Sequence, residues 1–186
     1  MFVIIQFFAD RQKELSMANA VSTVTFVAYL LGSVAHHDVP SFRLHSEAID
    51  REGILPTVYT CHGKNRLMPL HWHGEPIGTR SYVLVMRDND SPEQRYSWEL
   101  YNIPPDTNHL AFNQLKLSHF ERFALNSKRH DHYDGPCLGA GQHHYQITLY
   151  AIDTRFNFQH QVPAEELLKA IQGHILARTS LRFVAS

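Results

Sequence analysis

From residue 41 onward, short apolar stretches alternate with clusters of Gly, Pro, Asn and Asp, the pattern of short strands joined by turns. Phe42 to His45 reads as a strand, followed by the polar turn Asp50-Arg51-Glu52-Gly53. Ser81 to Met86 is apolar at odd and even positions alike, which predicts a central strand covered on both faces. Tyr96 to Ile103 reads as an aromatic-rich strand stopped by Pro104-Pro105. Phe112 to Tyr133 is irregular and polar, and predicts a long loop with a turn of helix. Tyr145 to Ile152 predicts another strand. The period then changes: Pro163 suits a helix start, Glu165 and Glu166 suit its positive end, and Leu167, Leu168, Ile171 and Ile175 form one apolar stripe. Thr179 to Val184 predicts a final short strand. The expectation is a mainly β, antiparallel domain over residues 41–186 with one C-terminal helix.

The first forty residues differ. Thr25-Phe26-Val27-Ala28-Tyr29-Leu30-Leu31 is apolar but too short to span a bilayer comfortably, so no integral membrane span is expected. Ser33-Val34-Ala35 places small residues where a secretory cleavage site needs them. Asp10 and Glu14 offset Arg11 and Lys13, so the start is not clearly positive, and Met17 is a second candidate start. Two readings of residues 1–40 stand: a signal peptide cleaved after Ala35, giving a periplasmic or secreted protein, or an N-terminal extension on a cytoplasmic one.

Composition narrows the function classes. Hydrophobic residues make up 44% of the 186, enough for one domain with a real core. Acidic and basic side chains nearly cancel, 18 against 17, and no basic stripe offers a nucleic-acid surface. The 14 histidines stand out, and net charge climbs as pH falls through about 6.5. Cys61 and Cys137 lack CxxC spacing, so a structural zinc knuckle is not expected; in an exported chain they permit a disulfide.

Two segments carry candidate chemistry. If the strand ending at Asp88 stays extended, Tyr82, Leu84, Met86 and Asp88 share one face, and Asp90 returns to the same side. The competing reading is a plain turn, Asp88-Asn89-Asp90-Ser91-Pro92, with side chains bonded to local backbone. Parity also separates His143 and Tyr145, on the apolar side, from His144 on the other. His143 and Tyr145 can both donate to an anionic oxygen, or be satisfied by backbone carbonyls.

Several blocks in series resemble the phosphatidylethanolamine-binding protein family, in its bacterial Raf kinase inhibitor-like branch. They are Tyr59-Thr60-Cys61-His62-Gly63-Lys64-Asn65, Pro69-Leu70-His71-Trp72, Pro76 to Ser81, Asp88 to Pro92, Trp98 to Pro104, Tyr133 to Cys137, His143-His144-Tyr145 and Gly173 to Ala177, the last matching the family's C-terminal helix. The resemblance covers Phe42 to Phe183. It implies antiparallel sheets and a small pocket for phosphate-type anions or phospholipid head groups. That pocket would use Asp88, Asp90, Pro92, His143 and Tyr145, with Gly135 and Pro136 shaping its wall. Some eukaryotic members also restrain protein kinases.

This chain departs from the family pattern. Ser97 stands where the family has His before the tryptophan, so one hydrogen bond remains but no charge. Asn89 replaces a proline between the aspartates, Leu138 and Gly139 replace two prolines, and His62 replaces an Asp. The expected function is therefore a non-catalytic binding protein with no cofactor. Its expected partners are a small anionic ligand and an unidentified protein, and a homodimer is compatible with the sequence.

The alternative is metal binding by the histidine excess, at His130-Asp131-His132, His36-His37-Asp38, or His71 with His73, against the plainer reading of a histidine-rich surface. A thiol nucleophile built from Cys137 and His143 lacks an orienting acid and an oxyanion hole.

Overall fold

The computed structural model describes residues 41–93, 95–111, 121–137 and 141–185. The expectations for residues 1–40, for the loop over residues 112–120, and for Leu138 and Gly139 lie outside them. Among the described residues eight strands are found: β1 (Arg43–His45), β2 (Leu70–His73), β3 (Ser81–Asp88), β4 (Tyr96–Ile103), β5 (His109–Leu110), β6 (Arg122–Phe123), β7 (His143–Ile152) and β8 (Ile175–Ala185). One α-helix, α1 (Ala164–Ala170), lies between β7 and β8. Among the described residues no helix is long and apolar enough to cross a membrane.

The strands form two antiparallel sheets, one of five strands in the order β6-β4-β3-β7-β8 and one of three in the order β1-β2-β5. The double-sided apolar pattern of β3 is explained by its central place. Tyr82, Leu84 and Met86 enter the core shared with Leu44, Leu70, Trp72 and Leu110 of the small sheet. Val83 and Val85 enter a second core on the opposite face, with Leu167 and Ile171. A helix of seven residues is too short to hold itself in water, so α1 persists because Leu167 is buried on that second face.

Three expectations need correction. The apolar stripe of the helix stops at Ile171: the chain turns through Gln172 to His174, and Ile175 is the first residue of β8 with 40% exposure. Gly173 to Ala177 is thus turn and strand, and the last strand starts four residues before Thr179. The expected loop from Phe112 contains β6, which extends the large sheet beyond β4. Local sequence could not reveal a two-residue strand whose only warrant is its partner.

Two irregularities in β4 position later chemistry. Met86 pairs with Trp98 while Arg87 pairs with Tyr96, leaving Ser97 as an extra, bulged residue. Near the other end, Asn102 adopts φ 58°, and its side-chain amide exchanges two hydrogen bonds with the backbone of Phe156.

Candidate functional site

The cleft of interest lies at the end of the large sheet where β3 stops, β4 bulges and β7 begins. Asp88 faces Tyr145 directly across the β3–β7 ladder. Asp88 is 4% exposed, and its two oxygens have separate duties. Oδ1 accepts the backbone N–H of Asp90 at 2.9 Å and of Ser91 at 3.2 Å, so the segment is a turn closed by its own side chain. Oδ2 lies 2.8 Å from His143 Nδ1. A carboxylate only accepts, so Nδ1 donates. Turn and functional reading therefore coexist, one on each oxygen.

Tyr145 is 2% exposed and stacks on Phe183 with ring centroids 5.5 Å apart. Burial, and beyond it the charge and hydrogen bond of Asp88, hold its phenol well above the ordinary value. It therefore remains a neutral donor throughout the physiological range. The bulge turns Ser97 into the same cleft, where its hydroxyl oxygen is buried without a hydrogen-bond partner among the described residues. Sequence parity alone would have put Ser97 on the face of Glu99 and Tyr101.

The opposite wall comes from residues 57–65 and 133–137, which are stitched together. Cys61 and Cys137 form a disulfide with Cα atoms 5.1 Å apart. Cys61 N–H donates to the Pro136 carbonyl at 3.0 Å, Asn65 Oδ1 accepts Gly135 N–H at 2.9 Å, and Tyr133 hydroxyl donates to the Tyr59 carbonyl at 3.1 Å. A side chain at Gly135 would run into Asn65 and the Tyr59 carbonyl, so only glycine permits this approach. The bonded Cys137 removes the thiol that a nucleophile would need.

The enclosed part of the cleft is about 20 Å³, and Asp88, Ser97, Asp134, Gly135 and Tyr145 face it. Lys128 supplies the positive side chain of the lining. Burial alone would raise the Asp134 carboxyl, but hydrogen bonds from His130 and Asn126 and the charges of His130 and Lys128 bring it below the ordinary carboxylate value. Among the described residues the lining is thus mixed: the carboxylates of Asp88 and Asp134, the ammonium of Lys128, and the hydroxyl-bearing Tyr96, Ser97 and Tyr145.

The remaining sequence candidates fall elsewhere. Asp90 does not return to the side of Asp88. Its carboxylate accepts the backbone N–H of His144 and lies 2.8 Å from His144 Nδ1, on the exposed face. Those bonds, backbone first, draw the Asp90 carboxyl below its ordinary value. The reason is geometric: once Asp88 caps the turn, the chain reverses and β parity no longer applies. Pro92 is exposed on that turn, and Pro136 contributes its carbonyl to the wall. His143, 23% exposed at its side chain, meets the cleft through Asp88.

His71 and His73 do share a face of β2, but His71 stacks between His45 and His109, at centroid distances of 5.5 and 5.9 Å, and its Nε2 faces Glu47 at 3.4 Å. Sequence reading missed Glu99 altogether. It is 1% exposed, faces Val85 across the ladder, and lies on the side of the second core. Burial, reinforced by Glu165 and Asp134 and opposed only by the Trp98 backbone, pushes its carboxyl up to about 9. The available signal was its shared parity with Tyr101 inside a strand that is apolar on both sides of it, at Trp98 and Leu100.

Comparison with known proteins follows the same lines. A family model described as phosphatidylethanolamine-binding protein matches residues 45–186. A UPF0098 protein of Methanothermobacter thermautotrophicus is 33% identical over 142 residues, 74% of this chain and 94% of that protein. A UPF0098 protein of Chlamydia trachomatis is 30% identical over 145 residues, 75% of this chain and 95% of its own length. Among solved structures, a phosphatidylethanolamine-binding protein homologue from Chlamydia trachomatis, CT736, superposes with TM-score 0.71 at 28% identity, covering 78% of this chain and 97% of that one. E. coli YbcL gives TM-score 0.69 at 23% identity, over 78% and 98% of the two chains, a likeness of fold.

Proposed function

The chain belongs to the phosphatidylethanolamine-binding protein family, and from that premise we propose that it is a non-catalytic binding protein whose cleft takes small phosphate-type ligands. The observation that carries this reading is the buried hydroxyl of Ser97 beside Tyr145 and Asp88, which has no partner among the described residues. A buried polar atom left without a partner costs about 1–3 kcal/mol, a cost that a bound acceptor removes.

Chemistry of the lining refines the ligand class. Ser97 and Lys128 offer donors to phosphoryl oxygens, and Tyr145 can turn its single hydroxyl proton from Asp88 to a ligand. Asp88 and Asp134 repel a bare dianion but attract an ammonium group or the proton of a monoanionic phosphate. A zwitterion of the phosphoethanolamine type satisfies both halves, whether free or as a lipid head group. The Cys61–Cys137 disulfide supports residence in an oxidising compartment, and so export.

Calorimetry with inorganic phosphate, phosphoethanolamine and vesicles carrying ethanolamine head groups tests the proposal. Phosphoethanolamine binds more tightly than phosphate on this account, and vesicle binding in excess of the free head group identifies a lipid source. No heat from either soluble ligand, and no vesicle binding, contradicts it.

A further inference from the structure

Residues 126–134 form a loop whose shape is set before its functional side chains meet. Asn126 Oδ1 accepts the backbone N–H of Lys128 at 2.9 Å and of His130 at 3.0 Å, and Asn126 N–H donates to the His130 carbonyl at 3.0 Å. Arg129 takes φ 62°, which lets the loop close. Asn126 Nδ2 also donates to Asp134 Oδ2 at 2.9 Å, so one buried amide fixes both ends of the segment.

Three donor groups converge on this frame. His130 Nδ1 lies 2.9 Å from Asp134 Oδ2, and His132 Nε2 lies 3.5 Å from Asp134 Oδ1. The two imidazoles stack at 4.7 Å with their planes 15° apart. One donor atom from each of the three residues falls within 4.8 Å of the other two. Tetrahedral ligands at zinc-type bond lengths stand about 3.3 Å apart, so a modest closure suffices. His132, 58% exposed at its side chain, has the freedom to supply it.

Outer contacts fit the same chemistry. Asp131 Oδ1 faces His132 Nδ1 at 3.9 Å, while Asp131 Oδ2 accepts from Gln161 Nε2 at 3.1 Å. A carboxylate behind the non-ligating nitrogen orients an imidazole whose other nitrogen binds a metal.

We propose that His130, His132 and Asp134 bind a first-row divalent cation of the zinc type, with a coordination position left for water or an anion. Two imidazoles and a carboxylate suit such an ion, whereas calcium and magnesium call for an all-oxygen shell. Asp134 also faces the ligand cleft, so the ion would bring positive charge to its lip. The site does not depend on the phosphate reading, because its donors converge without any ligand in the cleft. By contrast, the row of His45, His71 and His109 lies side by side across three strands, each histidine on its own strand.

The test uses metal-stripped, untagged protein titrated with Zn²⁺ by calorimetry and with Co²⁺ by visible absorption. One equivalent is expected to bind, with Co²⁺ showing low-symmetry bands. His130→Ala and His132→Ala, both at exposed positions, each weaken binding by at least about tenfold, and His71→Ala leaves it unchanged. Circular dichroism confirms that the variants fold. Failure to bind at millimolar ion, or stoichiometric binding that survives both loop variants, overturns the proposal.

Discussion

Asp88 and Tyr145 are direct cross-strand partners at the open end of the β3–β7 ladder, where burial and then the Asp88 carboxylate hold the phenol neutral. The register of ten-residue β7 thus brings a fixed acceptor and a fixed neutral donor to one wall of the cleft. Tyr145→Phe removes the donor and keeps the stack on Phe183. Phosphoethanolamine affinity is expected to fall by about 1–2 kcal/mol, a factor of roughly 5 to 30, with a smaller change in stability. Calorimetry on the variant measures it, and unchanged affinity removes Tyr145 from the ligand shell.

Ser97→His places a protonatable donor at the bulge. Phosphate binding at pH 6 is expected to strengthen severalfold and to weaken again as salt or pH rises, because the added interaction is charge-assisted. An affinity independent of pH would mean that the new imidazole stays out of the cleft.

Much of this arrangement was readable beforehand, for physical reasons that differ residue by residue. The face change between His143 and His144 follows from β periodicity alone, and the structure keeps it. The two-sided cover of Val83 and Leu84 follows from apolar residues at both parities. Asp90 went astray because Asp88 spends one oxygen on the turn, which reverses the chain. Ser97 needed knowledge of a one-residue register shift that only the partner strand specifies. Ile175 matched the helical period, yet pairing with Ile152 claimed it for β8. His130, His132 and Asp134 converge through the hydrogen bonds of Asn126, which no spacing rule encodes.

Glu99 gives a stability prediction with a definite sign. Unfolded, its carboxyl titrates near 4.5; folded, near 9. Below 4.5 both states hold the proton. Between the two values only the folded state does, so stability falls as pH rises through that window and levels off near 9. At pH 7 the cost is roughly 3 kcal/mol. Glu99→Gln removes this dependence. Urea unfolding at pH 5 and pH 8 should show the native chain losing several kcal/mol more than the variant, and equal losses would assign the slope to other groups.

The disulfide joins cysteines 76 positions apart and backs the cleft wall. Replacing both by serine is expected to cost about 2–4 kcal/mol in urea unfolding. It should also loosen the Gly135 amide, read as faster hydrogen exchange. A variant as stable as the oxidised chain would show that the hydrogen bonds of Asn65 and Pro136 hold the wall unaided.

The central claim, a phosphate-type ligand held between β3, β4 and β7, is tested most directly by an amide-resolved NMR titration with phosphoethanolamine. Saturable shifts are expected at Ser97, Gly135 and Tyr145 with a single dissociation constant, while Leu168 on the helix face stays put. Saturating ligand that leaves Ser97 and Tyr145 unmoved, or that moves Leu168 instead, contradicts the account.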